Sequence, residues 1–127
     1  MSPERQDLLA RQIRDVAAIL ARAVGLRLEG DAEEARAELE RAYAVASGSE
    51  GQAVLLRCLD PSGVAQLLPS AESLAAFAEL AREEARQSID PAAGAELTAR
   101  AEGLLGEARR LDPGIEGALR LLQETGT

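Results

Sequence analysis

Carboxylates and guanidinium groups are almost the whole chemical vocabulary of this chain. Glu34 with Glu38, and Glu79 with Glu83, are i,i+4 pairs that would set two carboxylates side by side on a helix and so offer oxygens to a hard cation. Arg36, Arg41, Arg82 and Arg86 interleave with these acids, together with Glu33, Glu40 and Glu84. The same residues therefore read as solvated helix faces of alternating charge, and that is their expected role. The other catalytic side chains are missing: the 127 residues include no His, Lys, Asn or Trp. Without His there is no Ser-His-Asp or Cys-His unit and no imidazole metal site. Without Lys there is no Schiff base and no P-loop lysine, so Gly48-Ser49-Glu50-Gly51 reads as a turn rather than a phosphate cradle. Cys58 is the sole cysteine, which excludes an intramolecular disulfide or a cysteine-based zinc site, and its neighbours Leu55, Leu56 and Leu59 predict a buried thiol. No catalytic residue, metal site or cofactor is expected.

The charge balance excludes further partners. Fourteen Arg against 22 acids give a net charge of −8, which with one Tyr and one Phe opposes both phosphate attraction and base stacking. Nucleic acid and anionic membrane surfaces are therefore not expected as partners. The polar start Met1-Ser2-Pro3-Glu4 does not read as a targeting segment, and no apolar run approaches the roughly 18 residues of a membrane span, so a cytoplasmic address is the expectation. Charge is uneven along the chain. Residues 1–29 hold five Arg and four acids, whereas residues 30–50 hold two Arg and six acids, so the first helix can meet the second within the molecule or across a dimer.

Ala (26 residues) and Leu (20 residues) dominate, and strand-forming types are scarce, so one all-α domain is predicted over residues 1–127. Ser2-Pro3-Glu4 opens a long first helix over about 3–29, whose Leu9, Ile13, Val16, Leu20 and Val24 form an apolar stripe. Gly30-Asp31 breaks the chain and starts a second helix over about 31–46, with Ala35, Leu39, Ala42 and Tyr43 on one face. So short a break makes the two an antiparallel hairpin. An irregular helical insert follows over about 51–69, divided at Asp60-Pro61 and stopped at Pro69-Ser70. A second hairpin spans about 71–111, its first helix carrying Leu74, Phe77 and Leu80 inward and its second opening at Asp90-Pro91. Asp112-Pro113 opens a last short helix over about 113–123, with Ile115, Leu119 and Leu122 inward.

Two of these helices share a pattern. Gly30-Asp31-x-x-x-Ala35-x-x-x-Leu39-x-x-Ala42 resembles the second half of a tetratricopeptide repeat (TPR), and Ala101-x-x-x-Leu105-x-x-Ala108-x-x-x-x-Pro113 repeats the spacing. Small Ala residues let backbones approach while Leu fills the space beside them. Over most of its length the chain is similar to a bacterial family of small, uncharacterised TPR-like proteins, through Arg11-Gln12-Ile13 to Gly30-Asp31, Leu55-Leu56, Leu67-Leu68 and Leu80-Ala81-Arg82-Glu83-Glu84-Ala85. The resemblance implies antiparallel hairpins in a right-handed array of five to six helices, and no assigned activity. Aliphatics such as Ile19 and Leu26 stand where the repeat carries aromatics.

The function this predicts is a non-enzymatic protein–protein interaction module whose groove takes a protein or peptide. By repeat geometry Leu20, Val24, Arg27 and Leu28 are the candidate groove residues. The Lys and Asn clamp that some TPR domains close on a peptide carboxylate is absent, leaving Arg alone for that task. The alternative is a structural homodimer pairing through the first helix, and a lesser one is a carboxylate-based, metal-dependent enzyme.

Overall fold

The structure, a computed structural model, describes residues 3–68, 70–115, 117 and 120. It is all-helical, with no strand among the described residues. The helices are α1 (Pro3–Leu28), α2 (Ala32–Ser47), α3 (Glu50–Cys58), α4 (Pro61–Leu67), α5 (Ala71–Gln87) and α6 (Pro91–Leu111). Ser2, Pro69, Leu119 and Leu122 lie outside the described residues, and so does most of the last short helix read from the sequence. Of its described residues, Pro113 to Ile115 form a turn closed by the Ile115 amide donating to the Asp112 carbonyl at 3.1 Å, and Gly117 and Arg120 are helical.

Side-chain oxygens start α2 to α6, and backbone geometry ends α1. Asp31, Ser49, Asp60, Ser70 and Asp90 each accept a backbone N–H of the first turn that follows, a donor with no intrahelical partner. Between α1 and α2 the chain turns on Gly30, whose φ of +84° is open to glycine without strain. Its flanking bonds, Asp31 N–H to the Leu26 carbonyl at 2.9 Å and Gly30 N–H to the Arg27 carbonyl at 3.1 Å, close α1 in a Schellman motif. The hairpin is antiparallel: Arg22 faces Glu38, and Gln12 donates to the Val45 carbonyl at 2.8 Å near the far end of α2.

α5 is the hub. It packs on α1, on α2 and on its hairpin partner α6, and ten of its 17 residues are buried. A helix enclosed on several sides needs small side chains to let its neighbours approach. Ala71, Ala75, Ala76, Ala78 and Ala81 supply them, while Leu74, Phe77 and Leu80 fill the intervening space. The insert bridges the hairpins, α3 lying on α2 and α4 on α6, with α3 and α4 touching each other only thinly. At the α4 to α6 crossing Gly103 meets Pro61 so closely that an added Cβ would lie 2.7 Å from the proline ring. No helix is long and apolar enough to cross a membrane among the described residues.

Gly103 and Gly106 should therefore respond oppositely to alanine. Gly106→Ala enters open space and should stabilise the chain by up to about 1 kcal/mol through helix propensity. Gly103→Ala gains the same propensity but drives a methyl into a rigid ring, and should be destabilising by about 1–2 kcal/mol in urea unfolding.

Candidate functional site

The polar residues of the hub helix build a seam along its contacts with α1, α2 and α3. Glu83 is 1% exposed, and a carboxylate so far from water needs a cation and hydrogen bonds. Arg27 of α1 supplies both as a fork: its Nε donates to Glu83 Oε2 at 2.8 Å and a terminal amine to Oε1 at 3.2 Å. Gln87 Nε2 donates to the same carboxylate at 3.1 Å and to the Ala35 carbonyl at 3.2 Å, tying α5 to the start of α2.

One residue along, Glu84 anchors a second cluster. Tyr43 donates its hydroxyl to Glu84 Oε1 at 2.7 Å, and Arg57 of α3 donates to Glu84 Oε2 at 3.0 Å and to Glu40 of α2. The Arg57 guanidinium lies over the Tyr43 ring, 4.0 Å from its centroid, and the edge of Phe77 closes on the same ring at 5.3 Å and 65°. Burial, with the Glu84 charge and its hydrogen bond, pushes the Tyr43 phenol far above its ordinary pKa. Burial acts against the charge on Arg57, but the hydrogen bond to Glu40 and the Glu84 charge outweigh it and raise its pKa further. Both groups keep their protons near neutrality, and the cluster ties α2, α3 and α5 together. From α6, Arg100 donates to the Leu56 carbonyl at 2.8 Å and to the Leu59 carbonyl, satisfying acceptors at the end of α3.

Two open clefts flank the seam. One, of about 480 Å³, lies between α2 and α3 and is lined by Ala37, Ala44, Ala53 and Val54, with Glu40, Glu50, Arg41 and Arg57 around them. The other, of about 350 Å³, joins Arg36 and Gln87 to Ile89, Ala93 and Leu97.

The four groove candidates do not share an open surface. Leu20 and Val24 are buried in the core at 4% and 7% exposure, Arg27 is engaged by Glu83, and Leu28 alone is exposed, at the end of α1. Their stripe is consumed in the helix packing. The expectation of a buried Cys58 is corrected: the thiol is exposed, because α3 buries only Ala53 and Leu56, and Cys58 falls with Val54 and Leu55 on its outer face. The reading of the α5 acids as a solvated face is corrected as well, since Glu79 and Glu83 are buried against arginines. Of the Glu34 and Glu38 pair, Glu38 takes Arg22 and Arg41, and among the described residues no group of three or more candidate ligands converges.

The sequence carried a signal for the seam that its charge pattern hid. Glu83 stands three residues after Leu80 and seven after Ala76, squarely on the apolar stripe of α5, where an acid must find a buried cation. Which cation, and from which helix, has no local signature. No protein-family model matches the chain, and comparisons with curated proteins and with solved structures return no match.

Two measurements probe the seam. Arg27→Ala takes the bidentate cation from a carboxylate that is 1% exposed, leaving it Gln87 and Arg86 at 4.0 Å, and should cost about 3 kcal/mol in urea unfolding. Glu83→Gln leaves behind an arginine that is 26% exposed, and should cost less. The raised Tyr43 pKa gives a stability contribution that is complete below the unfolded tyrosine pKa of about 10 and is lost as pH rises beyond it. An alkaline titration followed at the tyrosinate absorbance should thus show one step that coincides with loss of helical circular dichroism, not an earlier step in folded protein.

Proposed function

We propose that the protein is a non-enzymatic, TPR-like interaction module that receives an amphipathic helix of a partner protein in the cleft between α2 and α3. The observation that carries this reading is the surface left over once the core is complete. The cleft of about 480 Å³ presents small side chains, Ala37, Ala44 and Ala53, which allow a helix backbone to come close. On the same wall Val54 is 65% exposed, and Leu55 next to it in α3 is 47% exposed, large aliphatics that the fold leaves unpacked. Acids and arginines around the apolar floor match the mixed polar rim of a helix-in-groove site.

The helix order supports the TPR-like arrangement. Two antiparallel pairs, α1 with α2 and α5 with α6, are joined so that the first helix of the second pair packs on both helices of the first. The departure from a regular array is the α3 and α4 insert, which supplies one wall of the proposed cleft and gives this module a groove of its own.

Val54 and Leu28 make a matched pair for testing it, at 65% and 69% exposure. With the full chain as bait, Val54→Asp should lower retention of a helical partner by about tenfold or more, whereas Leu28→Asp should leave it unchanged. Equal retention by the two variants would sink the cleft assignment.

A further inference from the structure

We propose that the place occupied by Arg57 is an arginine-recognition slot, filled from within the chain by α3 and open to a partner's arginine when the last turn of α3 lifts away. The partner in this statement rests on the interaction-module reading; the slot itself does not.

Three groups form the slot. The Tyr43 ring lies under the guanidinium at 4.0 Å, Glu84 accepts from one terminal amine at 3.0 Å, and Glu40 accepts from the other. A flat cation met on its face by an aromatic ring and on its edge by two carboxylates is a guanidinium rather than an ammonium, whose charge is compact and has no plane to stack. None of the three groups belongs to α3. Glu40 and Tyr43 stand on α2 and Glu84 on α5, and the 2.7 Å bond from Tyr43 to Glu84 is made without Arg57. The slot therefore keeps its shape when its occupant leaves, and its two carboxylates then face a single cation, Arg36 at 3.7 Å from Glu40, so it carries net negative charge.

The occupant's own helix is lightly held. Within α3 only Ala53 and Leu56 are buried, while Val54, Leu55 and Cys58 face out. Its C-terminal end, where Arg57 stands, also depends on Arg100, which reaches the Leu56 and Leu59 carbonyls from α6. Few buried apolar contacts, with the polar clamps of Arg57 and Arg100 gathered at its C-terminal end, describe an element whose last turn opens before the rest of the fold. The cleft beside Arg57 gives an incoming side chain its route. The partner chemistry is thus an arginine on the helix that docks in the cleft, its guanidinium taking the place of that of Arg57 while Val54, one turn earlier on α3, stays on the cleft wall.

One Tyr and no Trp make Tyr43 the only fluorophore of its kind in the chain, so tyrosine emission reports this ring alone. Arg57→Ala, checked for its fold by circular dichroism, is titrated with methylguanidinium below denaturing concentrations. A saturable change in Tyr43 emission and a rise in Tm are expected, larger than with methylammonium. Both should be absent in the wild type, whose slot is filled, and in the Arg57→Ala chain that also carries Glu84→Gln. Arg57→Gln takes the same titration where the alanine variant does not fold. No response in a folded variant, an equal response in the wild type, or one matched by potassium chloride at the same ionic strength overturns the slot. Hydrogen exchange on the wild-type chain tests the lifting: amides of α3 should exchange at least about tenfold faster than those of α5, and faster again in Arg100→Ala. Exchange of α3 only together with α5 overturns entry by a partner. Capture that does not depend on Val54, beside a positive titration, would remove the module reading and leave the slot standing.

Discussion

A buried carboxylate with an arginine reaching it from another helix is the interaction on which this structure turns. α5 is enclosed by α1, α2 and α6, yet it carries Glu83 into that enclosure at 1% exposure. Desolvating such a group is costly unless its charge is answered, and the fork from Arg27 answers it across the junction of the two hairpins. Apolar packing alone would let the Ala-rich faces of α1, α2 and α5 slide past one another, because small side chains offer few ridges to register. The ion pair, with Gln87 reaching the Ala35 carbonyl, matches particular residues of α5 to particular residues of α1 and α2.

The same logic seats the irregular insert. α3 contributes little buried apolar surface, so its place is set by Arg57 on Glu40, Glu84 and the Tyr43 ring, and by Arg100 at its carbonyl end. Polar anchoring leaves the outer face of α3 free of packing duties, which is why large aliphatics and the thiol stand in solvent there. Exposed apolar surface and a lightly packed helix arise together, and they are the features a docking surface requires.

Helix limits were legible because their signals are local. An Asp or Ser that accepts a first-turn amide, a proline in the opening turn, and a glycine at φ +84° act within a few residues of themselves. The Leu74, Phe77 and Leu80 stripe was legible for the same reason, since helical periodicity relates neighbours one turn apart. The candidate site was not. Leu20 and Val24 carry the apolar periodicity of a groove and of a core alike, and only the position of α5 made them core. Glu79 and Glu83 read as solvent-facing charge beside Arg82 and Arg86, and burial of their helix on several sides reversed that.

By itself the amino-acid order determined the helix class, the breaks at Gly30-Asp31, Asp60-Pro61 and Asp90-Pro91, and the poverty of catalytic side chains. The tertiary structure decided which arginine meets which carboxylate, that Cys58 points outward, and that Leu20 and Val24 of α1 are core while a cleft opens between α2 and α3. The physical reason is range. Capping and periodicity are settled within one or two helical turns, whereas the Arg27 and Glu83 partnership spans 56 residues and exists only once α1 and α5 lie against each other.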